Sequence, residues 1–89
     1  MILEIKKFGT HLISRPEGRD AALVVRHQFL DKDNTQSVML DFEGVMLMTP
    51  SWLDEVVQEI LKTVEKEKLT FTNAQNSSVK ASIETVFAS

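Results

Sequence analysis

The chain has 89 residues, 43% of them hydrophobic and 26% charged, which is the balance expected of one small globular domain spanning residues 1–89. Its net charge of −3 argues against a nucleic-acid partner, because phosphates favour a basic surface. The absence of cysteine excludes disulfides, thiolate metal sites and cysteine nucleophiles, and it fits a reducing cytoplasm.

The start of the chain predicts neither a signal peptide nor a membrane helix. Residues 1–7 contain an acidic residue, Glu4, and lack a long apolar segment. No apolar run elsewhere approaches the roughly 20 residues that a membrane helix needs. We therefore expect a cytoplasmic protein with no membrane partner.

A strand and a helix are predicted in the first third of the chain. Residues 2–8 alternate well enough for a strand at the edge of a sheet, and residues 10–13 form a short extension or a packed loop. Ser14 and Glu17 have the spacing of a capping box, which predicts a helix to about Leu30. Its apolar face is formed by Ala21, Ala22, Val25 and Phe29.

The middle of the chain predicts a polar turn over residues 31–36 and a central strand over residues 37–42. Consecutive apolar residues in this strand are typical of one covered on both faces, as in a parallel sheet. Asp41 is the polar exception near its carboxyl end. Residues 45–48 are interpreted as core residues at the end of the sheet.

A second helix is predicted over residues 50–66, with Thr49 as its cap and Pro50 at its first position. Trp52 lies at the margin of the apolar stripe, where it is either partly buried or exposed as an interface anchor. The apolar stripe consists of Leu53, Val56, Val57, Ile60, Leu61 and Val64. The polar face of the helix consists of Asp54, Glu55, Gln58, Glu59, Lys62 and Lys66.

The last third predicts a strand over residues 69–72 and a third helix, capped by Asn76 or Ser77. The apolar residues of that helix are Val79, Ile83, Val86 and Phe87. The resulting order is β-α-β-α-β-α. Such alternation predicts an α/β domain with a mixed or parallel sheet, packed helices and right-handed crossovers.

Motifs for catalysis or cofactor binding are missing from the sequence. No metal-ligand spacing surrounds His11 or His27, and there is no phosphate loop or nucleophile elbow. We therefore expect no cofactor, no metal and no enzymatic activity. The start of the second helix remains, where the hydroxyls of Thr49 and Ser51 are expected beside Asp41.

Several segments, in this order, resemble the STAS-like domain family of uncharacterised function and, more distantly, the STAS domains of anti-sigma factor antagonists. The resemblance implies a small mixed sheet with packed helices that lacks the first strand of a full STAS domain. The segments are Phe8-Gly9, Leu12-x-Ser14-Arg15, Leu40-Asp41-Phe42-x-Gly44-Val45, Pro50-Ser51-Trp52-x-Asp54-Glu55 and Leu69-Thr70-Phe71-Thr72-Asn73.

The resemblance also implies a function. STAS antagonists are switch modules that dock on an anti-sigma kinase and are phosphorylated at the start of the equivalent helix, in an Asp-Ser-Ser-Gly motif. Here that stretch reads Thr49-Pro50-Ser51-Trp52, in which Ser51 matches a family serine. A phosphate there would add roughly two negative charges next to Asp54 and Glu55 and switch a docking surface by repulsion.

The sequence therefore predicts a signalling module of bacterial regulation that docks a protein partner, either a kinase-like ATPase or a transcription regulator. Ser51 and Thr49 are the candidate phospho-acceptors. The predicted partner-binding residues are Asp41, Pro50, Trp52, Asp54, Glu55 and Glu59.

Two other functions stay open. A small-ligand protein or enzyme would use Asp41, Thr49 and Ser51 and would need a concave pocket faced by Asp41. A structural subunit would form an oligomer through Leu23 and Leu30, which lie seven residues apart on the opposite face of the first helix; the alternative is that both are isolated surface residues.

Overall fold

Among the residues that the structure describes, five short strands form two parallel sheets. In the computed structural model, which describes residues 1–30 and 37–88 except the side chains of residues 29 and 30, the predicted α/β architecture is confirmed. The three-stranded sheet has the order β1-β3-β5, with the predicted central strand in the middle and the first strand at the edge. The strands are β1 (Ile2–Glu4), β2 (His11–Leu12), β3 (Val38–Asp41), β4 (Leu47–Met48) and β5 (Leu69–Thr72), with β2 paired to β4.

Three helices follow β2, β4 and β5 and begin at the predicted caps. The Glu17 N–H donates to Ser14 Oγ over 3.2 Å, and the Ser78 N–H donates to Asn76 Oδ1 over 2.9 Å. The helices are α1 (Arg15–Val25), α2 (Pro50–Leu61) and α3 (Ser77–Phe87), and a π-helical segment, Arg26–Leu30, extends α1 to its predicted end.

Part of the sequence-based prediction cannot be compared with the structure. The polar turn at residues 31–36 and the side chains of Phe29 and Leu30 lie outside the described residues.

The predicted end of the second helix at Lys66 is wrong, because α2 ends at Leu61. Val64 is nevertheless buried in the core after the helix end, which explains why the apolar stripe continues past it.

The first predicted strand is too long. Only Ile2–Glu4 is extended, and the chain then tightens into a 3-10 helix, Ile5–Phe8. Side chains three residues apart share one side of a 3-10 helix. The turn therefore directs both Ile5, which is fully buried, and Phe8, which packs against the core, to the inside.

Burial of the three-stranded sheet differs between its two faces, whereas the sequence predicted cover on both. Val38 and Leu40 are buried in the core shared with α1 and α2, and Leu3 lies beside Leu40 in register. On the other face, Met39 is half-buried and its neighbour Ile2 is exposed. Because Met39 is apolar, residues 38–40 form a continuous apolar run in the sequence, although burial alternates along β3.

Close contact between α1 and α2 completes the core. The face of α1 toward α2 carries small residues, Gly18, Ala21 and Ala22, all buried. A Cβ at position 18 would lie 2.6 Å from the Trp52 carbonyl oxygen and 2.9 Å from Trp52 Cα. Only glycine permits this approach, because the neighbouring atoms belong to the helix backbone and cannot turn aside.

We expect Gly18→Ala to lower the free energy of unfolding by about 2 kcal/mol, since adding atoms to a close-packed contact costs about 1–3 kcal/mol. In an ordinary helix position the same change would stabilise by about 0.5–1 kcal/mol. Urea unfolding followed by tryptophan fluorescence measures the difference. Ala81→Gly, at an exposed position of α3, calibrates the usual glycine penalty of about 1 kcal/mol. A Gly18→Ala protein as stable as the wild type would contradict the close contact.

Candidate functional site

Thr49 joins the start of α2 to the two-stranded sheet. It is the predicted cap: its Oγ1 accepts a hydrogen bond from the Trp52 N–H at 3.5 Å, although this bond is long. The same hydroxyl donates to the Ile13 carbonyl over 2.7 Å, and the Thr49 N–H donates to the Leu12 carbonyl over 3.0 Å. The Thr49 hydroxyl is therefore occupied by structural hydrogen bonds.

Ser51 lies in a small cavity of about 200 Å³ between the start of α2 and α3. Arg15 and Asp54 line one part of this cavity, and Thr85 and Val86 of α3 line another. Ser51 is half-buried, and its hydroxyl makes no hydrogen bond with another described residue. Of the two predicted phospho-acceptors, Ser51 thus has the available hydroxyl.

Arg15 connects the beginning of α1 to the first turn of α2. Its Nη1 lies 2.6 Å from Glu55 Oε2 and 3.1 Å from Asp54 Oδ2. Hydrogen bonding to Glu55, and then to Asp54, raises the pKa of Arg15 above its ordinary value. Because these side chains are partly exposed, the ion pairs contribute little to stability, but they hold Arg15 at the cavity that Ser51 also lines.

Two residues predicted to bind a partner are buried instead. Only 1% of Trp52 is exposed, and its ring lies 5.9 Å from that of Phe8. Glu59 is 9% exposed, and Lys62 Nζ lies 3.3 Å from its Oε1. Both residues share with Glu55 the side of α2 that faces α1, so the helix pairing removes them from the accessible surface.

Asp41 has a structural role that the sequence did not predict. Its Oδ1 accepts hydrogen bonds from Asn73 Nδ2 at 2.9 Å and from the Glu43 N–H at 3.0 Å. These two bonds, and the nearby charge of Lys6, lower the pKa of Asp41, while desolvation acts in the opposite direction. Asp41 thus links the carboxyl end of β3 to the residue that follows β5.

Among the described residues, Asp41 is not hydrogen-bonded to Thr49 or Ser51, the two residues with which it was expected to group. The hydrogen bonds of Asp41 run to residues 43 and 73, and those of Thr49 run to residues 12, 13 and 52. The cavity at Ser51 is lined by neither Asp41 nor Thr49. Neither of the two cavities described here combines these three residues, as the small-ligand alternative requires.

Exposed apolar residues beside the start of α2 were missed by the sequence analysis. Ile13 is 48% exposed, Met46 64% and Leu47 43%, although residues 45–48 were all expected in the core. In that segment only Val45 and Met48 are buried. Period-two alternation counted back from Met48 would have placed Leu47 outside. We call Ile13, Met46 and Leu47 the apolar ribbon.

Neither a metal-binding cluster nor a membrane-spanning helix is found among the residues that the structure describes. Over residues 1–30 and 37–88, no three histidine or carboxylate side chains come together in a way that could hold a metal ion. Within the same part of the chain, each helix is too short or too polar to cross a bilayer.

Replacing Asn73 by glycine should raise the pKa of Asp41 toward its ordinary value. The change keeps the positive φ of 55° at position 73 accessible and removes the amide donor. Because the folded-state pKa is depressed, the stabilisation by ionised Asp41 is present above the unfolded-state pKa and is lost as the pH falls through the folded-state pKa. The stability gap between wild type and Asn73→Gly should therefore narrow in acid.

Carboxyl-carbon NMR titration of Asp41 measures this shift directly. Lys6→Gln is the comparison variant, and it should move the pKa of Asp41 less, because the charge of Lys6 affects this pKa less than the two hydrogen bonds do. An Asp41 pKa that stays depressed in Asn73→Gly would show that the amide does not hold the carboxylate.

Comparison with known proteins identifies the family but names no relative of known activity. A family model, described as a STAS-like domain of unknown function, matches residues 21–79. The matched region contains Asp41 and all of α2 and leaves Ile13 and Arg15 outside. No curated protein and no solved structure matches the chain. Since the match covers more than half of the sequence, the chain belongs to the family of STAS-like domains of unknown function.

Proposed function

We propose that this domain is a protein-interaction module, without catalytic chemistry of its own, that docks a regulatory partner at the start of α2. The observation that carries the proposal is the apolar ribbon. Three large apolar side chains of a small domain are exposed there next to a helix start. Exposed apolar groups of this kind, bordered by polar residues, are typical of protein interfaces.

Hydrogen bonds of the two-stranded sheet and its neighbours order the backbone that carries the apolar ribbon. Leu47 is paired in register with His11, and Ile13 directly follows the end of β2. The Met46 N–H donates to the Thr10 carbonyl over 2.9 Å, and Asn76 Nδ2 donates to the Met46 carbonyl over 3.0 Å. A partner would therefore meet side chains on a backbone that is already ordered, which lowers the entropic cost of binding.

The polar residues that border this surface suit a switch. Ser51 shares its cavity with Arg15, whose guanidinium is held by Asp54 and Glu55. A phosphate on Ser51 would compete with these two carboxylates for Arg15 and would add negative charge at the docking surface. With the STAS resemblance, this favours a kinase-like ATPase as the partner and a transcription regulator as the second choice.

Replacing two of the three side chains of the apolar ribbon should weaken docking. In Ile13→Ser/Leu47→Ser, two interface side chains are lost, and at about 1 kcal/mol or more each the affinity should fall at least about tenfold. The measurement is quantitative mass spectrometry of proteins co-purified from the source cells with each tagged variant. The protein lost should be a kinase-like ATPase or a transcription regulator.

The matched control is Leu23→Ser, because Leu23 is equally apolar and 42% exposed but lies on α1. It should retain the partner, and circular dichroism should show all variants folded. Equal capture by the ribbon variant and the wild type would overturn the proposed surface. Loss of the partner only in Leu23→Ser would instead favour the contact through the outer face of α1.

Phosphorylation, if the partner is a kinase, should fall on Ser51 rather than Thr49, because the Thr49 hydroxyl already donates to the Ile13 carbonyl. Incubation with the co-purified kinase and ATP, followed by mass spectrometry, should show a label that Ser51→Ala removes. Thr49→Val should keep the label while losing about 1 kcal/mol of stability with the cap. Labelling that survives the double change would exclude both hydroxyls.

A further inference from the structure

A second cavity, of about 240 Å³, lies between α1 and the 3-10 helix Ile5–Phe8. Its inner wall is apolar, formed by the buried side chains of Leu12, Ala21 and Trp52. Phe8 forms a further wall, with its ring tilted by 55° against that of Trp52. The volume lies below the range of about 300–1,000 Å³ that is usual for small-molecule sites, so it suits a single side chain better than a cofactor.

Two carboxylates, Glu17 and Asp20, stand at the mouth of this cavity, and their charges are not neutralised by neighbours. Asp20 makes no hydrogen bond or ion pair with another described residue. Glu17 Oε1 accepts only from the uncharged Ser14 hydroxyl, over 2.8 Å. No lysine or arginine lines the cavity, since Arg15 and Arg19 of the same helix reach instead toward α2.

The one basic residue of the lining is His11, whose Nδ1 lies 3.0 Å from the Thr10 hydroxyl. The cavity thus combines aromatic and aliphatic walls with a mouth that carries two unpaired negative charges. A ligand complementary to it has an apolar stem and a cationic head. Arginine fits best, because its planar guanidinium packs on aromatic rings and binds carboxylates through two parallel hydrogen bonds.

We propose that this cavity binds one arginine side chain presented by a partner protein. Its methylene stem lies against Leu12 and Phe8, and its guanidinium meets Glu17 and Asp20. The site is separate from the apolar ribbon and from the cavity of Ser51, because it opens between α1 and the Ile5–Phe8 turn and not toward α3. The proposal therefore does not depend on docking at the ribbon.

The test is a titration with the capped tripeptide acetyl-Gly-Arg-Gly-amide. Trp52 is the single tryptophan of the chain and lines the cavity, so its fluorescence and its indole NMR signal report binding there. We expect weak saturable binding, and at least about tenfold weaker binding of the citrulline peptide, which has the same shape without the charge. The lysine peptide should also bind more weakly.

Glu17→Gln/Asp20→Asn should lose the arginine peptide, and glutamine at position 17 keeps the capping-box spacing. Glu67→Gln/Glu84→Gln, which changes the net charge equally at exposed positions elsewhere, should retain it. Ile13→Ser/Leu47→Ser should also bind the peptide normally, which separates this site from the docking surface.

Three results would overturn the proposal. These are the absence of a saturable change at Trp52, equal binding of the citrulline or lysine peptide, and equal loss of binding in both charge variants. The last result would reduce the effect to the general attraction of a cation to a protein of negative net charge.

Discussion

The contact between Gly18 and the backbone of Trp52 determines how the start of α2 is presented. No side chain fits between the two helices at this point, because a Cβ on residue 18 would lie 2.6 Å from the Trp52 carbonyl oxygen. The resulting closeness buries the Trp52 indole and brings Arg15 within 2.6 Å of Glu55. The first turn of α2 is thus held by α1 on one side and by the hydrogen bonds of Thr49 on another.

Packing of α1 on α2 also leaves two cavities around that first turn, and their linings carry different charged groups. The cavity on the side of α3 is lined by Ser51 and by both members of the Arg15–Asp54 ion pair. The cavity on the side of Phe8 has the carboxylates of Glu17 and Asp20 at its mouth. The positive charge in the first lining is already paired with carboxylates, whereas the two carboxylates of the second have no cationic side chain in the lining, so the second cavity is the one that favours a cationic group.

Local signals predicted much of the fold, whereas long-range contacts decided the site. The caps Ser14, Thr49 and Asn76 were readable because a side chain bonds to a backbone amide two or three residues away. The pairing of β2 with β4 was not readable, since two-residue strands carry no periodicity. The burial of Trp52 depends on Gly18, which has no side chain to keep the two helices apart. Gly18 is distant in sequence, and no residue near Trp52 indicates this contact.

The position of the second sheet explains why the candidate surface differs from that of most α/β domains. Such domains usually place their sites in the crevice beyond the carboxyl ends of parallel strands. Here Asp41, at the end of β3, is held by Asn73, and the chain passes through β4 before α2 begins. The start of α2 is hydrogen-bonded to β2 and follows exposed Leu47 closely in the chain, whereas the Asp41 carboxylate is hydrogen-bonded to residues 43 and 73. Exposed apolar side chains near an available hydroxyl are the features on which the proposed docking of a protein partner rests.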